Sequence, residues 1–387
     1  MNLAYFFLQD YNQRILNEEK KMSDAVFSRL AAYRDAQGIN QKALSKAMGF
    51  NDRQTLSAVE NGERALKSKE LLAALEFMGV TLKDFLDPTS MVGKAKFSWR
   101  QQEATPEDLT ETEQQVSKLI GLFEHVRKTR NGNPQPLLFK LPLNKHSSID
   151  EAQKCAENLV THLELGKYPA KKLMEKVSQL GIDTLHLDLN ENVSAAAINV
   201  TKGNYIVVNR KEVHGRLNFN YAHELFHILT WDALPPKHSE QAYSVKKGKK
   251  PIEEKLADAF AEALLMPRES VLSHVEQHNG TINESFINSL ANSFDVSSAA
   301  MKYRLHRLQQ ISQKQLDAFD DNLLRFNGGN SQAVLPRLYN EVFIKELHDA
   351  LYHGDVSARK ALENLGLSVS ELNEVFSSYN LAPAFEL

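Results

Sequence analysis

The order of apolar and polar positions predicts a mainly helical chain with one short interval of strands. Over most of the sequence, apolar side chains recur three or four positions apart, which is the period of helices that bury one face. Between residues 182 and 208 the period changes. Ile182–Leu189 alternates, and residues 195–200 and 204–208 follow, joined by a turn at Lys202–Asn204. These segments predict a small antiparallel sheet, so the expected fold class is α+β, mainly helical.

The pattern of residues 22–90 predicts five short helices. One helix ends at Gly49, and the next, over Arg53–Asn61, ends at Gly62, because glycine readily terminates helices. Two helices joined by a short turn, the second with exposed polar positions, predict a helix-turn-helix domain that binds DNA. Gln and Arg side chains can contact adenine and guanine in a bidentate manner. The candidate DNA-binding residues are Gln41, Arg53, Gln54, Thr55 and Ser57.

Net charge alone does not identify this segment as a DNA-binding domain. Residues 22–90 contain nine Lys or Arg and nine Asp or Glu residues, so a DNA-binding face depends on their arrangement. A helical module that docks another protein fits the same pattern and remains the alternative. The segment Ser57-Ala58-Val59-Glu60-Asn61-Gly62 resembles the signature of Xre-type domains, although the turn before its helix is one residue longer than usual.

Changes of composition and period divide the rest of the chain. Residues 1–21 are expected to form an N-terminal arm, either poorly ordered or an extra helix, before the second methionine, Met22. Residues 91–146 are expected to form a helical connector, and residues 147–311 carry the enzyme-like pattern. Residues 312–387 are expected to form a helical C-terminal domain, in which no chemistry is visible.

Composition limits the class of protein. A chain of 387 residues suggests more than one domain, and a net charge of −3 excludes a polycation. Cys155 is the single cysteine, which excludes an internal disulfide and favours a reducing compartment. No apolar run approaches the roughly 20 residues of a membrane span. We therefore expect a cytoplasmic protein without a membrane partner.

The segment Tyr221–Thr230 carries the pattern His-Glu-x-x-His on a predicted helix. His223 and His227 are four positions apart, so both imidazoles lie on one helix face and can converge on one ion. Neutral imidazole suits zinc, and a hydrolytic zinc site needs a third protein ligand and one open position. Glu224 can take a proton from water and pass it to a leaving amine. A helix with two ordinary surface histidines is the alternative.

The next predicted helix along the chain carries two carboxylates that can complete the zinc site. Glu254 and Asp258 are also four positions apart and share a face. Glu254 can complete the coordination of Zn2+, while Asp258 can accept the far N–H of a ligand histidine and fix its tautomer. Glu253, one residue off that face, is the competing ligand. Two solvated helix carboxylates are the alternative.

Residues 205–267 combine three segments in a set order. A short strand ends at Asn209, the Ala-His-Glu-x-x-His helix begins at Ala222, and Glu254–Pro267 fits Glu-x-x-Ala-Asp-x-Phe-Ala-x-x-Leu-Leu-Met-Pro. This order resembles the zinc metallopeptidases of the ImmA/IrrE type. The resemblance implies a zincin-like domain with Glu224 as the general base. The same resemblance implies that the zinc ligands are His223, His227 and Glu254.

One position departs from that family. Phe226 stands between the two histidines where members usually have glycine. Its ring would crowd that face of the helix and alter access to the site, although no ligand is lost.

The two resemblances together imply an endopeptidase joined to a DNA-binding domain. The implied substrate is a repressor or antitoxin-like protein whose cleavage switches a stress, phage or mobile-element response, and homodimerisation is common for such DNA-binding modules. The alternative is a non-proteolytic Xre-family regulator or antitoxin with a structural or vestigial zinc site. The intact Glu224 argues against it, because a structural site needs no base. A nucleic-acid hydrolase is the weaker third hypothesis, since no acidic two-metal cluster is visible.

Overall fold

The structure is a computed structural model, and it describes residues 26–130, 136–201, 203–241, 250–325 and 335–384. The arm predicted over residues 1–21 therefore lies outside the described residues. The described chain forms two compact units. The first contains the residues up to Ala95 together with Ile120–His125, and the second contains Lys96–Leu119 and the residues from Val126 onward.

The first unit confirms the five helices predicted for its sequence. They are α1 (26–36), α2 (Gln41–Ala47), α3 (Arg53–Glu60), α4 (Ser68–Met78) and α5 (Leu82–Leu86). Asn40 and Asp52 begin α2 and α3 as N-caps, because each side chain accepts a backbone N–H of the first turn. The helices bury a shared apolar core that includes Leu30, Leu44, Leu56 and Phe85.

A buried ion pair ties three helices of the first unit together. The Arg34 guanidinium in α1 donates to both carboxylate oxygens of Glu60 in α3, at 2.6 and 3.0 Å. The Gln41 side-chain amide at the start of α2 donates to the same carboxylate at 2.7 Å. Gln41 is therefore engaged inside this unit, which accounts for its partial burial.

The second unit contains a five-stranded sheet. Its strands are β1 (Ala95–Gln101), β2 (Ile182–Leu187), β3 (Val193–Val200), β4 (Gly203–Asn209) and β5 (Ser239–Gln241), in the order β2-β4-β3-β1-β5. The predicted hairpin is present, because β3 and β4 pair antiparallel. The prediction of a wholly antiparallel sheet is wrong. Strand β4 lies between β3 and β2 and pairs parallel with β2, and β1 pairs parallel with β5.

Strand β1 was absent from the sequence prediction. Its signal is a short alternation in which Phe97 and Trp99 are separated by Ser98 and followed by Arg100, and the structure buries all four residues. The Gln102 N–H, just past the end of β1, donates to the Asn192 carbonyl just before β3, at 2.7 Å. The end of β1 thus meets the start of β3, so these neighbouring strands run in opposite directions.

Helices surround this sheet and supply most of the second unit. Helix α6 (Pro106–Thr129) begins after the N-cap Thr105, and Ile120–His125 within it belong to the first unit. The next helices are α7 (Ile149–His162), α8 (Ala170–Val177), α9 (His214–Thr230), α10 (Ile252–Leu265), α11 (Arg268–Gln277), α12 (Glu284–Ser293) and α13 (Ser298–Arg307). Side chains of α7, α9 and α10 share one apolar core with the inner faces of β3 and β4. None of the described helices is long and apolar enough to span a membrane.

The described C-terminal region adds five helices, and the segment just before the third of them covers the β2 edge of the sheet. The five helices are α14 (Gln313–Ala318), α15 (Asp321–Arg325), α16 (Glu341–His353), α17 (Ala358–Leu365) and α18 (Val369–Ser378). The Tyr339 N–H donates to the His186 carbonyl at 2.7 Å, and the Asn340 amide donates to the Thr184 carbonyl at 2.8 Å. An uncovered edge strand invites pairing with another chain, so this segment gives the C-terminal region a structural role.

Candidate metal centre

Helix α9 presents the two histidines of the His-Glu-x-x-His pattern to the interior. Its first turn lies against the backbone before α13, where a Cβ on Gly215 would come within 2.6 Å of the Ser297 nitrogen. The Asn218 amide donates to the Asp295 carbonyl at 2.9 Å. These contacts fix the start of the helix, which then carries His223 and His227 into the protein with about 1% of each residue exposed.

Helix α10 brings the predicted acids to the same place. Glu254 Oε2 lies 3.1 Å from His223 Nε2, and Glu254 Oε1 lies 3.1 Å from His227 Nε2. The two Nε2 atoms are themselves 3.1 Å apart. The ligand atoms of these three buried residues all lie within 4.8 Å of one another. Among the described residues, they form the one group of this kind that could hold a metal ion.

The donor atoms of this cluster fit a divalent cation. His223 Nδ1 lies 3.0 Å from Asp258 Oδ1, which makes Nδ1 the protonated nitrogen and leaves a lone pair on Nε2. With a metal bound, this lone pair and the carboxylate of Glu254 would both face the cation. Glu254 Oε1 is buried and has no hydrogen-bond partner among the described residues. Converging acceptors of this kind are stabilised by a positive charge, as a zinc ion would provide.

The surroundings set the charge of the two acids. Burial disfavours the ionised form of Glu254, but the contacts with His223 and His227 outweigh it and hold the pKa of Glu254 well below its ordinary value. Burial also disfavours the ionised form of Asp258, but its hydrogen bond with His223 and the positive charges of His223, Lys250 and Arg100 together lower its pKa. Both carboxylates are therefore negative at neutral pH, as a cation site requires.

Glu224 lies beside the cluster in a different environment. Burial raises the pKa of Glu224 to about 7, while its attraction to His227 and a hydrogen bond from the Ala197 backbone of β3 act in the opposite direction. Its Oε2 atom is buried without a hydrogen-bond partner among the described residues. A carboxylate with a pKa near neutrality can both accept and return a proton, which is what general acid–base chemistry needs.

Arg100 of β1 is a member of this centre that sequence reasoning missed. Its Nη1 lies 3.2 Å from His223 Nε2, and its Nε donates to Asn220 Oδ1 at 2.8 Å. The Asn220 amide in turn donates to Glu212 at 3.1 Å, and Glu212 also accepts the Ser194 hydroxyl at 2.5 Å. Only 3% of Arg100 is exposed. The buried guanidinium of Arg100 therefore contacts His223 Nε2, the nitrogen that would bind the metal.

Phe226 does not crowd the metal side of the helix. Its ring is fully buried in the apolar core and lies 5.5 Å from the ring of Phe260 in α10. The larger side chain fills space between α9 and α10, so the expected effect on access to the site is not supported. The centroid of the Phe226 ring lies 5.8 Å from that of the His227 ring, so Phe226 packs against one of the candidate ligands.

The contact between Asp258 and His223 leads to a testable prediction. Asp258→Asn is expected to weaken zinc binding by about 10–100-fold, because the amide no longer offers a charged acceptor to His223 Nδ1. Competition with a chromogenic chelator measures this affinity. Lys250 also contacts Asp258, so Lys250→Met is the matched control. Equal losses in the two variants would contradict a specific role for the Asp258–His223 contact.

The candidate DNA-binding residues lie in different environments. Arg53 and Gln54 are exposed in the first turn of α3. Thr55 and Ser57 are partly buried, and Thr55 gives both its N–H and its hydroxyl to the Asp52 cap. Gln41 is engaged with Glu60. Arg53 and Gln54 are therefore the candidates best placed to reach a ligand.

Comparison with protein families matches two parts of the chain. Residues 177–306 match the model of the IrrE N-terminal-like domain, a peptidase family, and residues 30–85 match a helix-turn-helix model. The first match contains β2 to β4 and helices α9 and α10, and the second contains α2 to α4 and α5 up to Phe85. No curated protein and no solved structure matched the chain.

Proposed function

Because the chain joins an IrrE N-terminal-like domain to a helix-turn-helix domain, we propose that it is a zinc-dependent endopeptidase and DNA-binding regulator. The observation that carries the proposal is the buried group of His223, His227 and Glu254 with Glu224 beside it. We assign residues 22–90 to the DNA-binding domain and residues 147–311 to the peptidase domain.

The residues of the centre have different roles in the proposed hydrolysis of a peptide bond. A zinc ion, when bound, polarises a peptide carbonyl and makes a water molecule a stronger nucleophile. His223, His227 and Glu254 would hold that ion, and Asp258 keeps the His223 ring in the tautomer that exposes Nε2. Glu224 takes the proton from the attacking water and delivers it to the leaving amine. Its buried position keeps competing solvent away from this transfer.

The substrate we propose is a protein that regulates transcription, such as a repressor or an antitoxin-like protein. A peptidase that acts beside DNA-bound proteins gains selectivity when a DNA-binding domain is part of the same chain, because tethering raises the local concentration of its target. Cleavage would then switch a stress or mobile-element response.

Metal analysis combined with co-expression tests this function. Purified protein is expected to contain one zinc per chain. Co-expression with the product of the neighbouring gene is expected to yield a shortened fragment whose formation stops when a chelator is added to the purified pair. Protein that contains zinc and produces no fragment from any such partner would contradict the proteolytic part of the proposal.

One observation favours a second function. The Arg100 guanidinium lies 3.2 Å from His223 Nε2, so the cluster also has a stable arrangement around a cation of the chain itself. A non-proteolytic regulator or antitoxin would retain this arrangement and need no metal. Purified protein without zinc that still binds its operator would favour this alternative.

The placement of Arg53 leads to a prediction for the DNA-binding domain. Arg53→Ala is expected to weaken operator binding by about 1–3 kcal/mol if the side chain contacts a base, and to lower the salt dependence of binding if it contacts a phosphate. Binding measured by fluorescence anisotropy at two salt concentrations separates these cases. Lys69→Ala removes another exposed cation, from α4, and serves as the control. Unchanged binding of Arg53→Ala would remove this residue from the interface.

A further inference from the structure

Strand β1 lies beside β3 in the sheet, and its Arg100 contacts His223 of the candidate centre. Strand β3 carries the Ala197 backbone group that bonds to the Glu224 carboxylate, so a peptide paired with β3 on the side away from β4 would pass Glu224. Extended peptides commonly bind proteins by adding a strand to a sheet edge. In this chain β1 takes that position between β3 and β5, so no edge of β3 remains open among the described strands.

The side chains of β1 reinforce this occupancy. Arg100 reaches His223, and the Trp99 side chain, which is fully buried, donates to Glu113 at 3.0 Å. The Trp99 backbone N–H donates to the His238 carbonyl at 2.9 Å, which attaches the strand to the segment that enters β5. Strand β1 therefore occupies the pairing side of β3 and directs a cation at the catalytic cluster.

We propose that β1 is an intramolecular inhibitory strand, a proposal that rests on the peptidase function proposed above. It occupies the place of an extended peptide on β3, and its Arg100 guanidinium covers the nitrogen of His223 that would bind the metal. Zinc loading and substrate binding therefore both require β1 to move away from β3. The substrate class that follows is a segment able to form an extended strand, because only such a segment can replace β1.

The position of β1 in the sequence suggests how it is released. The strand begins at Ala95, where the chain leaves the first compact unit and enters the second. A ligand or DNA that changes the helix-turn-helix unit acts on a segment directly continuous with β1.

Zinc affinity measured on the full-length chain tests the contact of Arg100. Arg100→Met keeps the apolar stem of the side chain and removes its charge. If the released state is populated at about 10% in the original chain, the variant is expected to bind zinc about tenfold more tightly. Lys96→Met makes the same change at an exposed position of the same strand and is expected to leave the affinity unchanged. Circular dichroism and the melting temperature confirm that both variants are folded.

A second measurement follows the strand itself. The chain has two tryptophans, so Trp231→Phe leaves Trp99 of β1 as the single reporter. The metal is first removed from this variant with a chelator. Zinc titration of the metal-free variant is expected to shift the Trp99 emission to longer wavelength, because the buried indole becomes exposed when β1 leaves the sheet. A Trp99 emission that stays unchanged at saturating zinc would show that β1 is a permanent strand and would overturn the proposal. Equal zinc affinity of Arg100→Met and the unchanged chain would overturn it as well.

These measurements separate the inhibitory strand from the peptidase function. Both readouts depend on metal binding and fluorescence, so neither requires a cleaved substrate. Tighter zinc binding with a shifted emission, but without proteolysis of any partner, would support the inhibitory strand and contradict the peptidase function. Proteolysis with a fixed β1 would do the opposite.

Discussion

Glu224→Gln is expected to abolish peptide cleavage while leaving the zinc content unchanged. General acid–base catalysis contributes about 10²–10⁴-fold to a rate, and the amide of glutamine cannot accept the proton that Glu224 would take. The fold should tolerate the change well. Burial already raises the pKa of Glu224 to about 7, so its neutral form is nearly as favourable as its charged form, and glutamine resembles that neutral form in shape.

The measurement is the rate of fragment formation with the co-expressed partner, followed by gel electrophoresis. The zinc content and the melting temperature of the same preparation serve as controls, since either would fall if the substitution disturbed the ligands. Cleavage at an undiminished rate would remove Glu224 from the mechanism. Repression or toxin neutralisation that persists together with lost cleavage would show that the regulatory function is separate from proteolysis.

Glu254→Gln is expected to cause the largest loss of zinc affinity of any single substitution considered. The neutral amide removes the one negative charge that lies 3.1 Å from both His223 Nε2 and His227 Nε2. Outer contacts such as that of Asp258 are worth about 10–100-fold in metal affinity, and the loss of a direct ligand should exceed this range. Zinc content after gel filtration and chelator competition measure the effect.

Glu253→Gln is the matched control for this experiment. Glu253 precedes Glu254 on α10 and was the competing ligand in the sequence, but only Glu254 belongs to the group whose ligand atoms lie together. The control is expected to retain full zinc content. Loss of zinc from Glu253→Gln, with zinc retained in Glu254→Gln, would show that the ligand has been assigned to the wrong carboxylate.

The local parts of the candidate centre were predictable because helical spacing fixes them. Residues four positions apart share a helix face, so the sequence could pair His223 with His227 and Glu254 with Asp258. The convergence of the two pairs required only that α9 and α10 pack against each other, and the apolar faces of both helices indicated this. The resemblance to a known peptidase family pointed to the same residues.

The contributions of distant segments could not be predicted in this way. Arg100 is separated from His223 by 123 positions, and nothing in its local sequence indicates which helix it meets. Its strand carries only two large apolar residues, Phe97 and Trp99, so the alternation is too short to stand out. The parallel pairing of β2 with β4 was equally hidden, because strand order is decided by packing across the whole sheet.

In the first unit, helix positions were predictable and side-chain partners were not. The caps Asn40 and Asp52 stand before their helices in the sequence as they do in the structure. Gln41 was grouped with the DNA-binding candidates because its residue type suits adenine. The structure engages its amide with Glu60 at 2.7 Å, an interaction that depends on how three helices meet.

The burial of α7 in the apolar core and the bond of Tyr339 to β2 have a practical consequence for the design of shorter versions of this chain. The segment 177–306 that matches the peptidase-family model leaves out α7 and the residues that cover β2. Cutting there would strip Ala156 and Leu159 from the packing around Phe260, and it would also remove Tyr339 from its bond to His186. The resulting fragment would display bare apolar surface and an unprotected β2, a combination that favours precipitation over crystals.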